Sequence, residues 1–286
     1  MSCLQVIVGV IYAFLPLILL PIYLRILYIF ISQRKYRSLE CYRIIIQIGV
    51  VHCLTVTPGY SMAGFAHIIN HDYSNIASSL IKLYPAGFRT EALLSLILAL
   101  NRLKIMCGLR YPDYVHTVFT VFAWLVGVGF FAILQTPFTD YAVVPGHFLA
   151  TYDMSKPYSR TVMFVGSFLL SVPTFLTLLI YLIVIGYLVK FRFKVNIRSS
   201  ALKEKNIFIY AFTRFTVDFT LIVIYQYGHL PHEPVFDVPM TVGIILSSLF
   251  VPPVLYLMLY KHVREQFIGN AKLVNVKTIT QLAQRS

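Results

Sequence analysis

LLSLILALNRLKIM, residues 93–106, decides how this chain is read. An apolar run with one hydroxyl, Ser95, stops abruptly on Asn101, Arg102 and Lys104, with no Gly, Pro or capping residue at the junction. The meaning of that ending depends on the solvent the rest of the chain expects.

Composition identifies the solvent. Of 286 residues, 58% are hydrophobic and 12% charged, and mean hydropathy is +0.75. Soluble domains carry about 25% charged residues, so too few polar groups are present to cover a soluble surface. A net charge of +13 would suggest nucleic acid in a soluble protein, but here the basic residues lie in short blocks between apolar runs. That arrangement argues for membrane orientation and against a nucleic-acid partner. Cys3, Cys41, Cys53 and Cys107 show no metal-binding spacing and read as small apolar fillers.

A helix crossing the hydrocarbon needs about 20 mostly apolar residues. Seven segments qualify: 5–31, 43–67, 78–100, 117–137, 161–189, 207–227 and 238–260. The third is the least clean, because Lys82, Arg89 and Glu91 interrupt it. The inner-side segments 32–43, 101–116, 190–206 and 261–286 contain 18 Lys and Arg, against two on the other side, Lys156 and Arg160. This bias places the N-terminus outside and the C-terminus inside. Residues 1–260 therefore read as one all-α, seven-transmembrane helix bundle, and residues 261–286 as a cytoplasmic tail. The tail begins KHVREQFIGNAKL, where Val263 and Phe267 beside charges predict a short amphipathic helix on the inner leaflet. Seven crossings, an outer N-terminus and a basic third inner loop are the topology of a G-protein-coupled receptor.

In that setting Asn101 and Arg102 close the third span on its inner side. An ionisable group there faces the bundle interior or a water-filled cavity, or else serves as a positive-inside anchor. Rhodopsin-like receptors end this helix with an acidic-Arg-aromatic triplet; Asn101-Arg102-Leu103 resembles it without the acid. Val251-Pro252-Pro253-Val254-Leu255-Tyr256 resembles their Asn-Pro-x-x-Tyr element, with Pro252 in the Asn position. A Pro in a spanning helix frees a backbone carbonyl and permits a bend. Asn101, Arg102, Pro253 and Tyr256 are therefore the candidates for coupling to a heterotrimeric G protein.

SLECYRIIIQIGVVHCLT after the first inner loop, the LILALNR ending and the short outer loops resemble nematode serpentine chemoreceptors. The resemblance spans about residues 10–270 and points to the superfamily of serpentine receptor classes G, T, U, V and X. It implies a sensory receptor in the plasma membrane, in sensory cilia, that detects an external small molecule or peptide. The chain departs from rhodopsin-like receptors in three ways. No Cys lies in 68–90 or 138–160 to form an outer disulfide, the sixth span lacks a Cys-Trp-x-Pro element, and no Asn-x-Ser/Thr acceptor occurs.

Intramembrane charges are the sharpest local signals. Arg89 precedes Arg102 by 13 residues, about 20 Å along a helix. On the resemblance, that is the depth at which ligands dock. Tyr84 and Phe88 lie one turn apart beside it. Arg214 and Asp218, spaced i, i+4, can pair within the sixth span. Two readings follow: a structural network among Arg89, Glu91, Arg214 and Asp218, or a ligand carboxylate or other acceptor on Arg89. A direct or water-bridged Arg89–Asp218 contact is expected beneath a pocket walled by Tyr84, Phe88 and Tyr225. Glu91 lies close to whole turns from Arg102, so both point inward. His52 stands where such receptors hold a sodium-coordinating Asp, which predicts a His52–Glu91 hydrogen bond instead of a sodium site. The remaining histidines are scattered, so no metal is expected, and no cofactor or catalytic motif is seen. The competing readings are a seven-span transporter or channel, which would usually show internal repeats, and a membrane scaffold that carries other receptors.

Overall fold

A computed structural model describes residues 2–112, 114–192, 200–227, 231 and 233–269. Residues 193–199 of the third inner segment, His229, His232 and residues 270–286 of the tail lie outside the described residues. The helices are Cys3–Ser32 (α1), Arg34–Arg37 (α2), Glu40–Ile69 (α3), Ile76–Ile81 (α4), Leu83–Cys107 (α5), Tyr114–Leu134 (α6), Ser159–Arg192 (α7), Ser200–Tyr227 (α8), Pro234–Leu249 (α9), Val251–Leu259 (α10) and Lys261–Phe267 (α11).

Among the described residues, six stretches are long and apolar enough to cross a membrane: α1, α3, α6, Ser159–Tyr187 of α7, Ile207–Tyr225 of α8, and α9 with α10. The other crossing helix, α5, has the length but carries Arg89, Glu91, Arg102 and Lys104. Its position explains the charges. It packs against α3, α6, α7 and α8, and 14 of its 25 residues are buried. A helix surrounded by protein need not be apolar, provided its polar groups find partners. By contrast α6 buries only His116, Thr120, Ala123, Gly127, Phe130 and Leu134, one stripe at three- and four-residue spacing. Its Val118, Phe122, Leu125 and Val128 are exposed, as a lipid-facing helix requires.

Proline chemistry sets the helix breaks. The expected third span, 78–100, is divided between α4 and α5 at Lys82. Pro85 has no N–H to offer the Ile81 carbonyl four residues back. The seventh crossing is divided at Phe250. Pro252 and Pro253 remove the donors for the carbonyls of Ser248 and Leu249 in the same way. At its inner end α5 stops at Gly108, whose φ of +67° is a left-handed conformation that suits glycine.

Close packing holds the ring of helices together. A Cβ on Gly64 of α3 would collide with the backbone of Gly9 and Ala13 in α1. Small residues permit that approach where lipid supplies no hydrophobic drive. Spanning hydroxyls bond their own helix, as Thr174 does to the Leu170 carbonyl (2.7 Å) and Thr177 to that of Pro173 (2.8 Å). Thr57 Oγ1 and Ser61 Oγ of α3, by contrast, are buried without a hydrogen-bond partner among the described residues. Beyond α10, α11 turns back beneath the bundle and buries Val263 completely, with Gln33 donating to Gln266 across to the α1 end.

The outer segment between α6 and α7 folds into a hairpin of Tyr141–Ala142 (β1) and Thr151–Tyr152 (β2), with Tyr141 opposite Tyr152. No disulfide ties it down. Its Phe148 carbonyl instead accepts from Tyr12 Oη of α1 (3.0 Å) and Thr241 Oγ1 of α9 (3.1 Å). Val143 N donates to Ser78 Oγ (3.2 Å), and Lys82 Nζ lies 2.9 Å from Asp140 Oδ1. The hairpin therefore lies across the outer end of the bundle, held by three helices and by Lys82 at the break between α4 and α5.

Candidate functional site

Beneath that hairpin is a cavity of about 340 Å³. Tyr84, Phe88, Arg89, Asp218 and Tyr225 all line it, so the five residues singled out for ligand contact share one space. Tyr84 and Phe88 stack at 5.5 Å on one face of α5, as their four-residue spacing requires. Tyr225 is 45% exposed and stands at the cavity edge. The volume lies at the small end of the roughly 300–1,000 Å³ typical of ligand pockets.

Sequence reasoning missed the rest of the lining. Tyr141 and Tyr152 come from the hairpin, Met163 and Ser167 from α7, and Met240 and Ser248 from α9. No spacing signal connects a loop tyrosine to a helix 63 residues away; only the fold brings Tyr152 to Arg89. Burial raises the Tyr141 hydroxyl well above its ordinary range and also raises that of Tyr152, which Arg89 partly offsets. Both phenols therefore remain protonated donors.

The expected Arg89–Asp218 pair is not formed. Asp218 is held by Arg214 on its own helix. Arg89 turns the other way, toward α7 and the hairpin. Its Nη1 donates to the Pro85 carbonyl (2.5 Å), its Nη2 is 3.5 Å from Tyr152 Oη, and its guanidinium lies 4.1 Å over the Phe130 ring. The reason is local. Gly166 leaves open the space that the guanidinium fills, since a Cβ there would strike it, while the i, i+4 spacing gives Asp218 a nearer cation.

Below the cavity, polar groups from four helices converge. Arg214 Nη2 donates to Glu91 Oε1 (2.6 Å), and His52 Nε2 lies 2.8 Å from the same oxygen. Tyr23 Oη is 3.2 Å from His52 Nδ1. With Nε2–H facing the carboxylate, Nδ1 is the acceptor for the Tyr23 hydroxyl, and one neutral imidazole satisfies both neighbours. One turn further in on α8, Tyr210 accepts from Tyr256 Oη (2.6 Å), and the two rings stack at 4.5 Å.

At the inner end Arg102 is completely buried, and its Nη2 donates to Asn101 Oδ1 (2.6 Å). Asn101 Nδ2 donates in turn to Glu40 Oε2 (2.6 Å) of α3. His116 Nδ1 of α6 lies 2.9 Å from that oxygen, and Tyr111 Oη is 2.8 Å from His116 Nε2. The acid missing beside Arg102 in sequence is therefore supplied in space by Glu40, through Asn101. One signal pointed to it: Glu40 is the sole acidic residue in the basic segment 32–43. Among the described residues, no group of three His, Cys, Asp or Glu side chains is placed to hold a metal ion.

No protein-family model matches the sequence, nor does any curated protein. The fold is similar to that in the crystal structure of squid rhodopsin, with a TM-score of 0.73 over 94% of this chain and 86% of that one. Sequence identity is 10%, so the likeness establishes the fold alone: a multi-pass, seven-transmembrane helix bundle of rhodopsin architecture.

Proposed function

We propose that this chain is a chemosensory G-protein-coupled receptor, which binds an external small molecule or peptide in the outer cavity and signals to a heterotrimeric G protein at its inner end. One observation carries the reading. Tyr210, Arg214, Asp218 and Ile222 follow one another at four-residue spacing on α8, about 6 Å per step. Asp218 and Ile222 line the cavity, Arg214 grips Glu91 of α5, and Tyr210 receives the Tyr256 hydroxyl. One face of one helix therefore joins the cavity to the inner tyrosine pair.

An agonist acts by population shift, binding one arrangement of that helix better than the other. In the favoured arrangement Asn101, Arg102, Pro253 and Tyr256 engage the G protein, while Tyr84, Phe88, Arg89, Asp218 and Tyr225 contact the ligand. The chemosensory part, and a place in the plasma membrane of sensory cilia, rest on the resemblance to nematode serpentine receptors.

The test expresses the full chain in cells carrying calcium and cAMP reporters, under a panel of odorants and short peptides, with membrane current recorded in parallel. The expected result is a ligand-evoked reporter signal that Arg102→Ala abolishes at equal surface expression. Ligand-evoked current with silent reporters would overturn the receptor reading in favour of a channel.

A further inference from the structure

The cavity wall contains two charged side chains, Arg89 and Asp218, and they are not equally satisfied. Asp218 is paired with Arg214. Arg89 is 6% exposed and has no carboxylate within reach among the described residues. A guanidinium has five N–H donors. Among the described residues, its hydrogen bonds are to the Pro85 carbonyl and, at 3.5 Å, to Tyr152 Oη, and its Nε is buried without a partner. The Phe130 ring offsets part of the charge. A charge at membrane depth is costly unless it is paired, so a cation left this incomplete calls for an anion from outside the chain.

From this we infer that the cavity recognises a compact carboxylate, its carboxyl held by Arg89 and its apolar body laid among Tyr84, Phe88 and Ile222. The inference rests on the receptor reading for its biological meaning and deepens it by naming the ligand class. Arg is suited to the task because its planar fork meets a carboxylate with two parallel bonds. Tyr152, 3.5 Å from Arg89, and Ser167 also line the cavity and supply hydroxyl donors. Pairing with Arg214 weakens the repulsion that Asp218 would exert on a ligand carboxylate. The single remaining carboxylate of the polar cluster, Glu91, is held by Arg214 and His52.

The experiment uses the purified full-length chain in lipid nanodiscs, without G protein. Affinity is measured by thermal shift and by direct titration. The probes are benzoate, phenylacetate and hexanoate, each beside its primary amide, together with an N-acetylated dipeptide in acid and amide forms. Binding of a free acid or of the dipeptide acid supports the same chemistry, and which of them binds identifies the source. A charge-assisted pair predicts that an acid binds on the order of ten- to a hundredfold more tightly than its amide. Arg89→Gln should remove that preference, Arg89→Lys should keep part of it, and Tyr152→Phe should weaken it several-fold. The acid–amide comparison needs no mutant, so a misfolded variant leaves the test intact. Equal binding of acids and amides, or no binding of any acid, overturns the carboxylate assignment. Acids that bind yet never stimulate nucleotide exchange on a heterotrimer would overturn the receptor reading and leave the site standing. A neutral odorant that drives exchange in the absence of acid binding would do the reverse.

Discussion

Glu40 acts on Arg102 at one remove, and that distance gives it a distinct test. Asn101 donates to Glu40 and accepts from Arg102, so the amide orients the guanidinium only while the carboxylate orients the amide. Glu40→Gln keeps the shape and removes the charge. A hydrogen bond to a charged group contributes about 1.5–3 kcal/mol, so ligand-free nucleotide exchange should rise roughly tenfold, read as GTP turnover by a reconstituted heterotrimer. Exchange unchanged from wild type would reduce Glu40 to a packing role. The sequence marked Arg102 as unusual because an apolar run ended on it, but the acid that acts on it through Asn101 lies 61 residues from that amide. No spacing rule reaches that far, and the acid becomes visible only when α3 and α5 pack.

At the scale of elements, α5 shows why the polar span is the central one. Its charges are compatible with the membrane because α3 and α8 bring His52 and Arg214 to Glu91. Arg214 is the arginine that Glu91 and Asp218 share. Removing it leaves Asp218 without its cation and Glu91 with only His52, so Arg214→Gln should cost about 3–5 kcal/mol and sharply reduce surface expression and melting temperature. Asp218→Asn, which leaves the Arg214–Glu91 pair intact, should be much milder. The exchange of Arg89→Asp with Asp218→Arg should not recover function, because the two side chains serve different neighbours. Recovery by that exchange would show that they meet in another state. The Arg214–Asp218 pair could be read from i, i+4 spacing. The direction of Arg89 could not, since it depends on the space left by Gly166 in α7 and on a tyrosine from the hairpin.

For the whole molecule, the apolar runs made the number of crossings legible before any contact was known, and the bias of 18 basic residues against two predicts their orientation. Lipid makes this possible: each crossing must satisfy its own backbone, so helices announce themselves one at a time. The breaks at Lys82 and Phe250 were harder to place, because a proline marks a possible bend without fixing where the helix gives way. An epitope tag at the N-terminus should be stained on intact cells, and one inserted within 190–206 only after permeabilisation. Staining of the inner tag on intact cells would invert the topology.

The hairpin across the cavity has a chemical consequence for how the protein can be handled. Its attachments are hydrogen bonds to Phe148 and Ser78 and the contact of Lys82 with Asp140, with no sulfur bridge among them. Dithiothreitol should therefore leave the melting temperature and hairpin amide exchange of the purified chain unchanged. A fall in either protection would reveal a redox-dependent bond. Its maturation should need neither an oxidising compartment nor an isomerase, and bacterial inner membranes facing a reducing cytosol become a practical host for producing it.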